Sequence, residues 1–420
     1  MALSVETGQF AAGTAGPTTV VTLTDSGLTG KAIIFWAGLR SSNGIGGNFT
    51  QGWSVGFSDG TNHRCIAWAG DSAVATTNVG RSLRTASALD ILTDGTPTST
   101  LRITGVSFAA GSFTVTFSGT PLTAYLISFM VLGGADITNV LVGHSNAMPT
   151  STGAWNVNNA GASVGFTADF GMFLYTKQTA DGTAVLANSS IGFAQSSTKE
   201  FTMAWGVDDG QTMSANVDGV SYTNQAASIA YITDGAETVD LLADFTQFTS
   251  TGFDMNISNA QATANTLMPF LLIKGGQWDV GVSTKPTTAT AQTVTGMAFQ
   301  PKGALWAQTE ATADATVTAG GATSSVGAAI STSTETLAGI SHNDAINTNV
   351  DRDLENTKVA WDSTVAATQA DFTSFQSDGW TITWGATGAA LQTGWFAMTD
   401  NAAAPTTTGS GWVGAPGTTW

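Results

Sequence analysis

The chain contains 420 residues, of which 42% are hydrophobic and only 10% are charged, and its formal net charge is −17. This length corresponds to two to four domains of about 100–200 residues, each long enough to bury a core. With only 13 Lys and Arg, the chain lacks the clustered basic side chains that displace phosphate counterions, which argues against nucleic-acid binding. Its surface must be built mainly from Thr, Ser, Asn, Gln and Gly. Such a surface is typical of β proteins in large assemblies or outside cells.

The single cysteine and the first residues indicate where the chain folds. Cys65 lies in an apolar, strand-like segment, so a buried structural thiol is favoured over a nucleophile. The first residues, MALSVETGQF, lack the basic and apolar regions of a secretory signal. No apolar run approaches the ~18–20 residues that a membrane-spanning helix needs. We therefore expect folding in the cytoplasm and no membrane partner.

Strand-like segments follow one another along the chain, and each type occurs three times. The earliest type is an apolar strand that places Trp36, Tyr175 and Trp306 in one column. A later type carries Trp68, which matches Trp205. These aromatic side chains are predicted to lie in cores, with sugar-stacking platforms on exposed faces as the alternative. The runs are short, rich in Val, Ile, Thr and aromatic residues, and separated by Asp-Gly turns, which is typical of β-sandwiches.

A hairpin-like segment comes next in each third of the chain, and its three versions align without a gap. They are VSFAAGSFTVTF from Val106, TQFTSTGFDMNI from Thr246 and TSFQSDGWTITW from Thr373. Phe108, Phe248 and Phe375 share one column, and the alternation that follows places every second side chain on a buried face. An internal repeat of this kind dictates the architecture. We predict an all-β protein of three tandem antiparallel β-sandwich repeats, jelly-roll-like, joined by short Pro/Thr-rich linkers.

Pro, Thr and Ala accumulate at residues 144–153 and 283–293, and these stretches set the predicted domain boundaries. The predicted divisions are repeat 1 at 1–145, repeat 2 at 146–285, repeat 3 at 286–400 and a Gly/Pro-rich tail at 401–420. The tail contains Trp412 and Trp420. Aromatic side chains on such a tail more often pack against a partner or the parent domain than stay in water. We therefore predict Trp412 and Trp420 as partner-binding residues.

No arrangement of residue types points to catalysis or to a cofactor. The three histidines, His63, His144 and His342, are far apart in sequence, and no His or Cys pair has zinc-ligand spacing. Residue counts leave a Ser-His-Asp triad open, but no nucleophile elbow precedes a helix. Asp208 and Asp209 precede a glycine and are read as a turn, with a glycosidase carboxylate pair as a minor alternative. We predict no catalytic residues, no cofactor and no enzymatic activity.

A run of acidic and amide residues is the one weak metal candidate. Asn347, Asn349, Asp351, Asp353 and Glu355 alternate along the chain, so an extended segment places them on one face. Carboxylate and amide oxygens are calcium ligands, which makes Asp351, Asp353 and Glu355 a candidate calcium site. Glycine-bearing calcium loops are missing from this run. A solvated strand face or a contact between subunits is therefore the favoured interpretation.

The phased Ala/Thr/Gly-rich repeats, the uncleaved start and the low charge together resemble virion structural proteins of tailed bacteriophages. The class in question comprises tail fibres, spikes, decoration proteins and baseplate proteins. The hairpin motif and the apolar strand that closes each repeat, such as Thr123–Gly134, are also similar to H-type lectin-like sandwiches. That second likeness covers about a third of each repeat and matches no ligand-binding residue.

The first resemblance implies a non-enzymatic virion component that is assembled in the host cytoplasm. It implies contacts with other virion proteins, a homo-oligomer that is a trimer or larger, and attachment to the host surface, where a glycan would be the partner. A carbohydrate-binding adhesin or lectin is the alternative. A glycan-degrading depolymerase is a third hypothesis.

Overall fold

The computed structural model describes residues 2–46, 51–71, 74, 76–93, 95–210, 219–233, 238–343, 350–362 and 368–401. Within these ranges there is no α-helix, and the prediction of an all-β protein is confirmed. The strands are β1 Leu3–Ala11, β2 Thr18–Thr22, β3 Gly30–Gly38, β4 Gly44–Gly46, β5 Gln51–Ser58, β6 His63–Gly70, β7 Val79–Arg84, β8 Leu89–Leu92, β9 Ser99–Ala109, β10 Ser112–Phe117, β11 Leu126–Gly134, β12 Asn139–His144, β13 Gly153–Val157, β14 Phe170–Tyr175, β15 Gly182–Val185, β16 Ser189–Ser196, β17 Lys199–Val207, β18 Gly219–Asn224, β19 Ile229–Thr233, β20 Thr238–Phe248, β21 Phe253–Asn259, β22 Pro269–Lys274, β23 Gln277–Thr284, β24 Ala291–Val294, β25 Gly303–Gln308, β26 Thr318–Ala319, β27 Gly321–Ser331, β28 Thr334–Asn343, β29 Val350–Glu355, β30 Ala360–Trp361, β31 Gln369–Gln376, β32 Gly379–Trp384 and β33 Gln392–Thr399.

The strands form six antiparallel sheets, three of seven strands and three of four. In the first sandwich the sheet β1-β11-β3-β5-β6-β7, completed by β15, packs on the sheet β2-β10-β9-β8. Phe35 on β3 meets Phe113 on β10 across this core, with ring centroids 6.2 Å apart. Strand β10 buries alternate side chains such as Val115 and exposes Thr116, because successive residues of a strand face opposite sides.

The second and third sandwiches have the same strand order as the first. In the second, β12-β22-β14-β16-β17-β18 with β26 lies on β13-β21-β20-β19; in the third, β23-β33-β25-β27-β28-β29 with β4 lies on β24-β32-β31-β30. An aromatic pair again crosses each core. Phe173 and Phe253 have ring centroids 5.1 Å apart, and Trp306 and Trp380 have centroids 5.3 Å apart. A β-sandwich class of fold follows from these layers.

The aligned hairpin segment has one register in all three sandwiches. The directly opposed residues are Phe108 with Phe113, Phe248 with Phe253, and Phe375 with Trp380. The first residue of each pair is half-buried at the end of the hairpin, and the second is buried in the sandwich core. The three phenylalanines that share a sequence column therefore occupy matching environments.

One column read from the sequence was wrong, because Trp36 lies one residue and Tyr175 two residues after the position equivalent to Trp306. The equivalent pairs in the structure are Phe35 with Gly56, Phe173 with Gly192, and Trp306 with Gly327. Trp36 therefore points to the opposite face of β3, away from the first sandwich core, whereas Tyr175 and Trp306 lie inside their sandwich cores. A slip of one residue moves a side chain to the other face of a strand. Aligning Trp36 with Trp306 introduced that slip.

Glycine is needed in this column because the facing chain passes directly over it. A Cβ atom on Gly192 would overlap the carbonyl oxygen of Ser228, and one on Gly327 would overlap that of Val359. The two sheets of a sandwich thus approach each other at backbone distance just before β19 and β30. Larger residues at these positions would push the sheets apart.

The outer faces of the three seven-stranded sheets pack against one another in a central core that takes side chains from all three. Trp205 of the second sheet lies against Trp53 and Trp68 of the first, with centroids 5.7 and 6.4 Å apart. Trp68 Nε1 donates a hydrogen bond to Ser324 Oγ of the third sheet at 2.9 Å. The prediction that Trp68 and Trp205 are core residues is confirmed. Because each large sheet is buried on both faces, closing strands such as β11 are apolar almost without interruption.

Sheet membership divides the chain earlier than the Pro/Thr-rich stretches suggested. Strand β12 pairs with β22, and β23 pairs with β33. Boundaries after residues 145 and 285 leave both strands with the preceding sandwich, although their partners belong to the following one. The Pro/Thr-rich stretches instead carry the chain from the first strand of a large sheet to the edge strand of the facing small sheet. Such a crossing between layers needs a loop, which explains its composition.

Gly192→Ala should lower the free energy of unfolding by ~2 kcal/mol or more, because the added Cβ forces two backbones apart. Gly119→Ala is the matched control, since a Cβ there meets no atom within 4 Å. Chemical denaturation of both variants measures the difference. Equal stability of the two variants would contradict the close approach.

Candidate functional site

Three exchanged strands join the seven-stranded sheets into a closed ring. Strand β15 comes from the second sandwich and pairs with β7 of the first, and β26 comes from the third and pairs with β18 of the second. Strand β4 comes from the first sandwich and pairs with β29 of the third. Each exchanged strand covers an edge that would otherwise offer unpaired N–H and C=O groups. We call these junctions the first, second and third seams, in that order.

In the first seam, Asp181 holds the exchanged strand β15 in place. Its carboxylate accepts a hydrogen bond from the backbone N–H of Thr85 at 2.7 Å and pairs with the Arg84 guanidinium at 3.1 Å. Arg84 also pairs with Asp90 at 2.6 Å, and the Asp90 side chain is fully buried. The Asp181 side chain is 42% exposed, so its ion pair alone adds little stability and the backbone hydrogen bond matters more.

In the second seam, Asp314 has the role that Asp181 has in the first. Its carboxylate accepts a hydrogen bond from the backbone N–H of Gln225 at 2.9 Å. Nearby, Glu310 accepts a hydrogen bond from Thr323 Oγ1 at 2.6 Å, and burial raises the pKa of Glu310 to about 7. The second seam therefore carries a carboxyl group that is partly protonated near neutral pH.

The third seam contains arginine on both sides. Arg352 on β29 donates a hydrogen bond to the carbonyl oxygen of Leu39, which lies just before β4 in the chain. Asp353 is fully buried and accepts a hydrogen bond from Gln369 Nε2. Burial raises the pKa of Asp353 to about 7, and the positive charge of Arg40 partly opposes that shift. This seam closes the ring between the first and third sandwiches.

The predicted calcium residues lie on β29 in the third seam. Asp351 is 7% exposed and Asp353 is 0% exposed, so the expectation of a solvated strand face is wrong for these two residues. Glu355 is half-buried at the end of the strand. In the described ranges, no three Asp, Glu, His or Cys side chains are grouped to hold a metal ion. Asn347 and Asn349 lie outside those ranges, and calcium binding stays a prediction.

The other polar residues that the sequence singled out serve turns and seams. Asp209 accepts a hydrogen bond from the backbone N–H of Val79 at 3.0 Å, which ties the second sandwich to the first. His63 Nδ1 lies 2.8 Å from Ser58 Oγ, a serine–histidine pair inside a turn. The Asp59 carboxylate accepts hydrogen bonds from backbone N–H groups of its own turn and of β12 rather than orienting His63. This arrangement is that of a capped turn and supplies no base–nucleophile relay.

Cys65 is fully buried, as predicted, and burial raises the pKa of its thiol. Every tryptophan within the described ranges is buried, which confirms their prediction as core residues. The predicted partner-binding residues Trp412 and Trp420 lie outside the described residues. Sugar-stacking platforms on exposed tryptophan faces therefore have no basis in the described part of the chain.

A pocket lies beside the first strand of the second and of the third large sheet, where that strand packs against the preceding sandwich. The β23 pocket has a volume of about 370 Å³ and the β12 pocket about 470 Å³. The β23 pocket is lined by Ala168, Asp169, Gln195, Lys199, Gly276, Gln277, Trp278, Asp279, Ala298 and Phe299. The β12 pocket is lined by Gly30, Lys31, Asp59, Thr61, Asn62, Thr138, Asn139, Val140 and Leu141. Both volumes are within the range of small-molecule sites.

His342 is a fully buried titratable group in the third large sheet. Neither of its ring nitrogens has a hydrogen-bond partner, and burial lowers its pKa to about 4. His342 lies five residues after Leu337, the strand partner of Gly327. The residues five positions after the partners of Gly56 and Gly192 are Gly70 and Val207, which are therefore the equivalents of His342 in the other large sheets. An imidazole thus stands where the other two sheets have apolar residues, and it is held in the neutral form.

Sequence reasoning missed the exchanged strands because they are very short. Strand β26 has two residues and β4 has three, which is below the length at which periodicity identifies a strand. A signal does exist in the chain. Ala180-Asp181 and Ala313-Asp314 occupy the same place after a large-sheet strand, and in both cases a threonine follows two residues after the aspartate. Both of these aspartates accept backbone hydrogen bonds in the seams.

No protein-family model and no curated protein matches the chain. Among solved structures, domains LG4-5 of the mouse laminin alpha1 chain match at 8% identity and a TM-score of 0.11, over 63% of this chain and 82% of that chain. A fructofuranosidase from Schwanniomyces occidentalis, complexed with fructose, matches at 6% identity and a TM-score of 0.14, over 92% and 98%. Scores of this size carry no argument. The described residues contain no helix that is long and apolar enough to span a membrane.

Asp181→Ala should increase amide hydrogen exchange at Leu186, whose N–H donates to Val79 O across the first seam at 3.1 Å. Loss of a hydrogen bond costs ~1 kcal/mol, so local opening should become several-fold more frequent. Asp314→Ala is the matched control: it should speed exchange at Ala315, which donates to Thr223 O in the second seam. Unchanged exchange at Leu186 in Asp181→Ala would contradict this role.

His342→Val should make the protein less sensitive to acid, since valine occupies the equivalent position in the second sheet. The pKa of His342 is lowered to about 4 in the folded chain, so its contribution to stability is complete above about pH 6.5 and is lost as the pH falls towards 4. Over that pH range, the free energy of unfolding of the wild type should fall by ~3 kcal/mol more than that of the variant.

Denaturant titrations at pH 7 and pH 4.5 measure this difference. Carboxyl groups with a raised pKa, such as Glu200 and Glu335, gain stability as the pH falls, but they do so in both proteins and cancel. If the free energy of unfolding changed with pH in the same way in the wild type and in His342→Val, protonation of His342 would not destabilise the fold, and the prediction would be contradicted.

Proposed function

We propose that this chain is a non-enzymatic structural component of a tailed phage or phage-like particle, such as a tail fibre, spike, decoration or baseplate protein. It resides in the virion, where it contacts other virion proteins and the host surface. The chain consists of three tandem copies of one β-sandwich module. The shared strand order of the three sandwiches and the common register of the Phe108, Phe248 and Phe375 hairpins support this organisation.

The ring of exchanged strands is the observation that carries the proposal. Three separate subunits that shared the central core and strands of two to four residues would be in equilibrium with free subunits, because association depends on concentration. One continuous chain gives the same ring without that dependence. A part that must keep its shape on a particle outside the cell benefits from this arrangement, whereas a small-molecule enzyme has no need of it.

The outward faces of the four-stranded sheets supply the contact surfaces in this proposal. On the third sandwich, the hydroxyl groups of Thr293 and Thr381 lie 3.0 Å apart, and those of Thr373 and Thr383 lie 2.8 Å apart. These hydroxyl groups carry no charge, and Asp371 on the same face is paired with Lys358, so a partner can cover this face without burying an unpaired ion. Neighbouring virion proteins and further copies of this chain would pack there, with about 800 Å² buried on each side for a stable contact.

A carbohydrate-binding adhesin or lectin is the second candidate function. The β23 pocket favours it, since side chains that can form hydrogen bonds, such as Lys199 and Gln277, line a volume of about 370 Å³ there. Host attachment through a glycan would combine this activity with the structural role.

Electron microscopy of particles that lack the gene tests the structural role. We expect those particles to lose a fibre, spike, decoration or baseplate density, and a tagged copy of the chain to restore it at a position that antibody labelling identifies. Particles of unaltered appearance and composition would contradict the proposal. Light scattering of the purified chain at several concentrations measures in parallel whether further copies associate.

A further inference from the structure

Strand β2 forms one edge of the first four-stranded sheet, and its outer side carries unpaired backbone groups. Leu23 N–H donates to Gly111 O at 2.9 Å, and from there every second residue of β2 bonds to β10. The residues between them, Thr18, Val20 and Thr22, therefore point their N–H and C=O groups outward. No hydrogen bond within the described ranges reaches these groups. An open edge of this kind is a template for a further strand.

The side chains along this edge do nothing to prevent pairing. Val20 is 65% exposed, and Thr18 and Thr22 are exposed on the same face. All five residues of β2, TTVVT, are uncharged and β-branched, which suits them to a strand. Protected edges usually carry a lysine, a proline or a bulge. Strand β2 has none of these, so a further strand can add to it.

The second sandwich closes the corresponding edge with a residue of its own. Asn156 corresponds to Val20, because the next residue in each strand is the partner of an aligned phenylalanine. Asn146 Nδ2 donates to Asn156 O at 3.2 Å, and Asn158 N–H donates to Asn146 Oδ1 at 3.2 Å. No described residue does the same for β2. The open edge is therefore a feature of the first sandwich and not of the module.

The third sandwich has a polar residue at this position. Thr293 on β24 corresponds to Val20, and its hydroxyl group lies 3.0 Å from that of Thr381. Strand β24 has four residues and no exposed large apolar side chain. It lacks the apolar centre that Val20 gives to β2, so it serves as the control site.

The pattern of β2 matches itself. If two copies of β2 run antiparallel about Val20, the two Val20 side chains face each other, and Thr18 faces Thr22 at both ends. Valine then packs on valine, hydroxyl groups meet hydroxyl groups, and each opposed pair exchanges both backbone hydrogen bonds. A two-fold contact needs such a self-complementary surface. Each copy has a net charge of −17, so a contact that brings no like charges together suits a second copy.

We propose that two copies of this chain pair antiparallel through β2 and so join their first four-stranded sheets into one sheet of eight strands. The contact uses an edge of the sheet and not its outward face, and it does not depend on a role in a virion. Within the chain, the edges of the large sheets are already covered by strands from a neighbouring sandwich. Pairing through β2 applies the same device between copies.

Sedimentation velocity of the full chain over a range of concentrations tests the proposal. We expect the wild type to change from monomer to dimer as its concentration rises. Amide hydrogen exchange at Thr18, Val20 and Thr22 should slow by about tenfold or more as the dimer forms. Val20→Lys should weaken dimerisation by roughly tenfold or more, because two lysines would then face each other. A lysine is well tolerated at an exposed strand edge, so the variant should fold.

A mixture of Val20→Lys and Val20→Glu separates a lost contact from a damaged fold, since opposite charges then face each other. Neither variant alone should dimerise where the wild type does, and the mixture should. Thr293→Lys is the matched control on β24 and should dimerise like the wild type.

Three results would overturn the proposal: a wild type that is monomeric at every concentration, a dimer that Val20→Lys leaves unchanged, or a mixture that stays monomeric. Equal losses in Val20→Lys and Thr293→Lys would do the same, since the contact would then not be specific to β2. The role in a particle is judged separately by microscopy, so a monomeric chain leaves that role intact.

Discussion

In the central core, Trp205 of the second large sheet packs against Trp53 and Trp68 of the first, and the Trp68 indole reaches Ser324 of the third. Large aromatic side chains bury roughly 150–250 Å² each. Each Å² of apolar surface removed from water stabilises the fold by about 25 cal/mol. This contact gives the three sheets a common buried face. Since their other faces already lie on the small sheets, no face of a large sheet is left for water. Only the edges remain, and the exchanged strands cover one edge of each.

Burial on both faces explains which parts of the fold the sequence revealed. Along the strands of the four-stranded sheets, residues that face the sandwich core alternate with exposed residues. The hairpins around Phe113, Phe253 and Trp380 could therefore be aligned from this pattern alone. The large-sheet strands have apolar residues on both faces, and periodicity no longer tells the faces apart. Trp36 was consequently placed one residue out of register. Only the repeated Ala-Asp pairs at Asp181 and Asp314 pointed to the exchanged strands. The burial of the Asp353 carboxylate left no signal in the sequence, because it depends on which sandwich lies next to which.

The three seams differ in chemistry although the sandwiches share a strand order. Asp181 and Asp314 cap the first and second seams, while the third seam relies on Arg352 and on the buried Asp353. A wrong pairing of sandwiches would remove the hydrogen bonds that cross the seams, at a cost of ~1 kcal/mol for each bond lost. Differences of this kind select one arrangement among similar surfaces. The seams therefore favour the order in which the ring closes, and the apolar core supplies most of its stability.

Buried titratable groups limit the pH range in which this ring is most stable. Burial raises the pKa of Glu200, Glu310, Glu335 and Asp353 to about 7. Their contribution is complete below the unfolded pKa of about 4 and is lost as the pH rises through 7. His342, with its pKa lowered to about 4, acts in the opposite sense below pH 6.5. Four carboxyl groups outweigh one imidazole, so stability should rise as the pH falls from 7 towards 5. Glu200 and Glu335 accept hydrogen bonds within their own sandwiches, whereas Glu310 and Asp353 lie at the second and third seams, so pH acts both on single sandwiches and on the junctions between them.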